Sequence, residues 1–126
     1  MQMNPIGWFE IYVDDMMRAK AFYEAVFNVT LDKLDVEAGM DVEMWVFPCD
    51  MDSYGATGAL CYMSHVKAGG NSTMVYFSCE DCATEASRAA ENGGALQVPK
   101  MAIGQHGFIS IVSDSEGNMI GLHSMQ

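Results

Sequence analysis

The feature that most constrains this chain is an internal repeat, with an offset of 66 residues from Asp15 to Asp81. The segment Trp8–Val13 is rich in aromatic and β-branched residues, and the same character returns at Thr73–Ser78. Such segments are typical of strands. In both places an aspartate and a stretch with apolar residues at helical spacing follow the strand. The 126 residues therefore predict a single domain (residues 1–126) made of two similar modules.

The helices have recognisable ends. The first is predicted at Met16–Phe27, where Asp15 caps the free N–H groups and Asn28 ends the helix in the left-handed conformation. The second is predicted to begin after Asp81 and to stop at the pair Gly93-Gly94.

Three short strand candidates follow each helix. They are Thr30–Asp35, Asp41–Phe47 and Ala59–Met63 after the first, and Leu96–Pro99, Phe108–Ser113 and Met119–Ser124 after the second. We therefore predict an α+β fold of two tandem βαβββ modules, about residues 4–63 and 73–126, with a linker at 64–72. Their curled mixed sheets are expected to surround a concave cavity.

Charge and cysteine usage limit the partners. The net charge is −11 with six basic residues in total, so neither nucleic acid nor a membrane is an expected partner. The N-terminus lacks the pattern of a signal peptide, and we expect a cytoplasmic protein with reduced thiols. Cys79 and Cys82 form a C-x-x-C pair at a strand-to-helix junction. This pair is either two small buried residues or, less simply, a redox or zinc motif.

The motifs together resemble the vicinal oxygen chelate superfamily, the group of glyoxalases and bleomycin resistance proteins. The matching segments are Val13–Tyr23, Ala90–Gly94, Asp114–Asn118 with Ile120–Leu122, and the opening Asn4–Ile11. The resemblance covers nearly the whole chain and implies the tandem βαβββ fold and a homodimer. It leaves the reaction open, because this fold serves lyases, isomerases, dioxygenases, thiol transferases and drug-binding proteins.

The resemblance also implies four metal ligands, usually His and Glu, in the first and last strand of each module. By motif position these sites fall at Trp8, Ala59, Met74 and Gly121. None of the four side chains binds a hard divalent cation. We therefore predict no metal ligand and no cofactor, while an atypical divalent-metal site stays open.

Strand alternation predicts the lining of the concave face. We expect an aromatic, methionine-rich cavity that binds a small organic ligand. The predicted ligand-binding residues are Trp8, Tyr12, Tyr54, Cys61, Met74, Tyr76, His106 and Met119. Ordinary packing is an alternative for each tyrosine and for the methionines.

Glu10 and His123 are the candidate acid/base residues. If Glu10 is desolvated between aromatic neighbours, its pKa should rise, as suits a general base. His123 is suited to proton transfer or to a hydrogen bond with a ligand, as an imidazole side chain generally is. A paired or solvated Glu10 and a structurally satisfied His123 are the alternatives. The first hypothesis is therefore metal-independent ligand binding, and the second is a glyoxalase-type lyase or isomerase. A Glu10, Cys61 and His123 set that holds a soft metal or activates a thiolate is a further alternative.

Overall fold

The structure, a computed structural model, describes residues 4, 6, 8–36, 38–50, 52–71 and 73–126. Outside the described residues lie Pro5 and Gly7 of the Asn4–Ile11 motif, Ser72 of the linker, and Met51, which follows the predicted strand Asp41–Phe47 in the sequence. The first module comprises β1 (Phe9–Tyr12), α1 (Met16–Phe27), β2 (Asp32–Lys33), β3 (Glu43–Val46) and β4 (Gly58–Tyr62). The second comprises β5 (Tyr76–Ser78), α2 (Cys82–Glu91), β6 (Ala95–Ala102), β7 (Phe108–Ser113) and β8 (Met119–Ser124). The predicted α+β fold of two βαβββ modules is confirmed.

Each module forms its own four-stranded mixed sheet. The strand orders are β1-β4-β3-β2 and β5-β8-β7-β6. In each sheet the first and last strands of the module pair in parallel, and the remaining pairs are antiparallel. The two sheets do not close into a barrel. Consequently β1 and β5 are both edge strands, and the seam between the modules lies beside them.

The helix ends follow the predicted chemistry. The carboxylate of Asp15 accepts from the backbone N–H of Arg18 (3.1 Å), and Asn28 has a φ of 54°. Asp81 caps α2 in the same way, by accepting from the N–H of Ala83 (3.1 Å). Both helices therefore start from a carboxylate that satisfies a free N–H group.

Several predicted strand limits need correction. The predicted strand Thr30–Asp35 is reduced to the two residues of β2, because only these pair with β3. The segment from Thr73 is a strand only from Tyr76. In contrast, β6 runs on past Pro99 to Ala102, with register shifts along its pairing with β7. An edge strand can carry such irregularities and a proline because one side of its backbone needs no partner.

The core lies between the helices and one face of the sheets. Tyr23 of α1 is fully buried and its ring lies 5.6 Å from that of Phe47 and 6.0 Å from that of Phe77. The rings of Phe9 and Phe77 meet at 5.8 Å, which brings the two edge strands together on this side. The opposite face of each sheet carries no helix, and we call it the open face.

The turn at residues 114–118 joins the two modules. Glu116, whose side chain has no exposed surface, accepts hydrogen bonds from the backbone N–H groups of Asp14 (3.0 Å) and Asp15 (2.8 Å). It also accepts from Arg18 Nε (2.6 Å). The hydroxyl of Tyr23 donates to Asp114 (2.7 Å). The second module therefore satisfies backbone donors at the start of α1 in the first.

Candidate functional site

The positions implied for metal ligands carry the wrong chemistry for a hard cation. Gly121 lies opposite Tyr76 in the pairing of β5 with β8, and a Cβ atom at residue 121 would overlap the Tyr76 ring. Ala59, opposite Glu10, is fully buried. Among the described residues, no group of three or more His, Cys, Asp or Glu could hold a metal ion. The residues present do not fit the family's divalent metal.

A half-open cleft of about 390 Å³ lies at the seam between the modules. Its lining comes from β1, the linker and the segment that enters β8. The lining residues are Glu10, Ile11, Tyr12, Val66, Lys67, Gly69, Gly70, Asn71, Thr73, Val75, Asn118, Met119 and Ile120. A concave site of this size that mixes apolar walls with a few polar groups is typical of small-molecule binding.

Glu10 is held in place by its aromatic neighbours on β1. The indole N–H of Trp8 donates to Oε2 of Glu10 (3.2 Å), and the hydroxyl of Tyr12 donates to Oε1 (2.8 Å). The three side chains share the open face because they alternate along one strand. The hydrogen bond from its hydroxyl to Glu10, together with burial, raises the pKa of Tyr12 to about 12, so that this donor keeps its proton at neutral pH.

The linker, residues 64–72, forms a wall of the cleft, and this role was not predicted from the sequence. The side chain of Asn71 donates to the backbone carbonyls of Thr73 (2.9 Å) and Met119 (3.1 Å), and it accepts from the N–H of Met119 (3.3 Å). Gly69 donates to Asn118 (2.6 Å). Gly69 and Gly70 both have positive φ, which fits the sharp path of this segment. The Gly69-Gly70-Asn71 sequence is the feature from which the sharp path of this wall could have been predicted.

The structure separates the predicted site residues into groups. Glu10, Tyr12 and Met119 line the cleft, and Trp8 lies beside it through its bond to Glu10. Tyr76 lies over Gly121 on the open face of the second module. In the described structure, the cleft lining omits Tyr54, Cys61, Met74, Tyr76, His106 and His123. The predicted site residues therefore fall partly in the seam cleft and partly outside it, and their role in ligand binding stays a prediction.

Cys61 lies on the open face but is fully buried, opposite Tyr12 in the pairing of β1 with β4. Burial, with a smaller contribution from the charge of Glu10, raises the pKa of its thiol to about 12. Burial raises the pKa of Cys79 to about 12 as well, and the nearby Glu85 adds to this effect. Thiols with such pKa values are protonated at neutral pH and are poor nucleophiles. The C-x-x-C pair therefore fits the interpretation as two packed residues, with Cys82 fully buried.

His123 belongs to a different part of the open face from Glu10. It lies opposite Ser78 in the pairing of β5 with β8, and its Nε2 is 2.7 Å from the backbone carbonyl of His106. A carbonyl only accepts, so Nε2 carries the proton in this contact. Tyr54, in the loop between β3 and β4, is 90 % exposed. Within the described residues, the predicted acid/base pair is thus not gathered in the cleft.

The geometry of the two modules agrees with comparisons to known proteins. The chain belongs to the Glyoxalase/Bleomycin resistance protein/Dioxygenase superfamily, whose family model matches residues 5–122. A protein of Mycobacterium bovis named as a candidate glyoxylase, CFP32, is 27% identical over 110 residues, which are 87% of this chain and 40% of that protein. The chain therefore spans less than half the length of the curated relatives it matches.

Solved structures share the fold. Glyoxalase I from Zea mays superimposes with a TM-score of 0.74 at 19% identity, over 96% of this chain and 46% of the maize chain. TnmS3, an antibiotic binding protein from Streptomyces sp. CB03234, gives 0.64 at 24% identity, over 98% of both chains. The described part of this protein contains no helix with the length and apolar character needed to span a membrane.

Proposed function

We propose that this protein binds a small organic ligand in the seam cleft, without the metal ion of its enzymatic relatives. The observation that carries the proposal is the lining itself. The cleft lining combines the apolar residues Ile11, Val75 and Met119 with a carboxylate, Glu10, which two aromatic donors hold in one orientation. Apolar walls supply affinity, and a fixed polar group supplies orientation.

Two further facts support this proposal. The antibiotic binding protein TnmS3 shares the fold and is matched over 98% of its length. At the positions that the family resemblance assigns to metal ligands, this chain has side chains unsuited to a hard cation. The alternative function, a lyase or isomerase using Glu10 and His123, requires both groups at one substrate. The described cleft is lined by Glu10 but not by His123, so we propose binding rather than this chemistry.

A thermal-shift screen of small organic compounds in the presence of a chelator tests the proposal. A ligand at one hundred times its Kd is expected to stabilise the fold by about 2.7 kcal/mol. For a domain of this size, that gain raises the Tm by roughly 10 °C. Substitution of Thr73 by phenylalanine should abolish the shift, because the larger side chain enters the cleft.

Thr84→Phe is the matched control. Thr84 is exposed on α2 and is not among the residues that line the cleft, so the ligand-induced shift should be unchanged. If both variants lost the ligand-induced rise in Tm equally, or if both kept it, the ligand would bind outside the seam cleft. A screen with no stabilising compound would count against ligand binding as the function.

We further propose that the protein forms a homodimer through the open face of its second module. This face exposes large apolar side chains, including Tyr76 (47%) and Met101 (47%). Apolar surface of this kind favours association. Light scattering after gel filtration should give twice the 13.8 kDa of one chain. Met101→Glu should yield monomers, whereas Met17→Glu, on the exposed side of α1, should leave the dimer intact; a monomeric wild type would refute the proposal.

A further inference from the structure

We propose that the ligand of the seam cleft carries a cationic nitrogen, and that Glu10 binds it between the rings of Trp8 and Tyr12. This inference rests on the proposed function and names the chemical class of the ligand. It starts from the hydrogen bonds of Glu10. Each carboxylate oxygen accepts one bond from the same strand, at 3.2 Å from Trp8 and 2.8 Å from Tyr12. An oxygen of a carboxylate has two acceptor positions, so each retains one for a donor from outside.

The charge of Glu10 is not neutralised within the described structure. Arg18, Lys20 and Lys100 form ion pairs with other carboxylates, and none of the described basic side chains lies within 4.0 Å of Glu10. Arg88 donates to the backbone carbonyl of Val26. Both donors that do reach Glu10 are neutral. The carboxylate is therefore a fixed, exposed negative charge for which a cation is the natural partner.

The rings on either side add apolar surface for the carbon groups that such a cation carries. The side chain of Trp8 is 43% exposed, so part of its ring surface is available to a ligand. The net charge of −11 adds a long-range field that draws cations and repels anions.

Lys67 provides a test of whether the charge on the ligand is positive or negative. It is the one basic residue among the described lining of the cleft, and it makes no ion pair with Glu10. Its ammonium group opposes a bound cation and would favour a bound anion. Removal of this charge should therefore strengthen the binding of a cation, and removal of the charge of Glu10 should weaken it.

The experiment compares two probes of nearly equal shape, benzylammonium, which carries N–H donors, and the uncharged ethylbenzene. Both are titrated into the full chain, with binding followed by NMR chemical shifts of the protein. We expect the wild type to bind the cation at least about tenfold more tightly than the neutral probe. Glu10→Gln should remove this preference, and Lys67→Gln should increase the cation affinity about twofold to threefold. Glu80→Gln, an exposed glutamate outside the cleft lining, should change neither affinity.

The outcomes distinguish a failure of the cationic-ligand proposal from a failure of the proposal that the seam cleft binds a ligand. Equal binding of both probes, or a preference for the cation that survives in a folded Glu10→Gln variant, would overturn the inference and leave the seam cleft as a binding site. A weaker cation affinity in Lys67→Gln would also overturn it, because Lys67 would then serve an anionic group. Binding of neither probe by the folded wild type would count against both the cationic ligand and the cleft.

Discussion

Replacement of Glu116 by glutamine is expected to lower the free energy of unfolding at neutral pH by about 2 kcal/mol. The side chain has no exposed surface and accepts from the guanidinium of Arg18 and from the backbone N–H groups of Asp14 and Asp15. Glutamine has nearly the same shape, but it turns an NH₂ group towards donors that need an acceptor. The loss is costly because glutamine carries no charge to pair with the guanidinium of Arg18, which is itself 54% exposed, and because it presents an NH₂ group to the Arg18 N–H donor. Urea unfolding followed by circular dichroism measures the change.

The pH dependence of this difference has a defined sign. Burial raises the pKa of Glu116, but hydrogen bonds from Arg18, the Asp15 backbone and Ser115 outweigh it and hold the pKa below its ordinary value of 4.5. A group whose pKa is lowered in the folded state contributes its full stability above the unfolded pKa. That contribution is lost as the pH falls through the folded pKa. The gap between wild type and Glu116→Gln should therefore be largest at neutral pH and shrink below pH 4.5.

Glu91→Gln is the control for a change of charge alone. Glu91 is exposed at the end of α2, and surface substitutions of this kind usually change stability by less than about 0.5 kcal/mol. If Glu116→Gln were as mild as this control, the 114–118 turn would not be holding the modules together. If the gap widened on acidification, the assigned direction of the Glu116 pKa would be wrong.

The helices and strands in which apolar residues recur at a regular spacing could be predicted from the sequence. The limits of α1 agree residue by residue because Asp15 and Asn28 are local signals for the start and end of a helix. The strands Phe108–Ser113 and Met119–Ser124 also agree, since each is a central strand whose alternation is fixed by a buried face. β2 was overestimated because its length depends on pairing with β3, which no local pattern encodes.

The alternation of β1 also located part of the site. Trp8, Glu10 and Tyr12 share one face, as the period of a strand requires. The two-residue alternation of side chains along a strand does not predict the hydrogen bonds that join these three residues. Glu10 is exposed rather than desolvated, so the condition under which it was expected to act as a general base is not met.

What the sequence could not supply was the relation between the modules. The repeat predicted curled sheets around a concave cavity, but it did not predict a cleft at the seam whose walls include the linker. The linker does not belong to the repeat, so the comparison of the two modules assigned it no role. Its position depends on Asn71 and Asn118, which bond to segments about 50 residues away in the chain: Gly69 to Asn118 and Asn71 to Met119.

The pairing of Gly58 with a distant strand could not be predicted from the sequence either, and it leads to a second large expected effect on stability. The predicted strand began at Ala59, whereas the structure places Gly58 at the start of β4, paired with Phe9 of β1. A Cβ atom there would overlap the backbone carbonyl oxygen of Phe9 and would approach its ring carbon Cγ to 2.6 Å. The Phe9 ring is itself packed against Phe47 and Phe77 at 5.7 and 5.8 Å.

Gly58→Ala is therefore expected to destabilise the fold by about 3 kcal/mol, since overpacking that moves backbone reaches this range. Gly121→Ala is the matched control on the corresponding strand of the second module. The atoms nearest to its new methyl group are ring carbons of Tyr76, which is 47% exposed and can turn towards solvent, so a cost of about 1 kcal/mol is expected. Urea unfolding of both variants measures the difference. Equal costs would mean that β1 and β4 can separate as easily as one exposed ring can turn, and that the close approach at Gly58 is not a requirement of the fold.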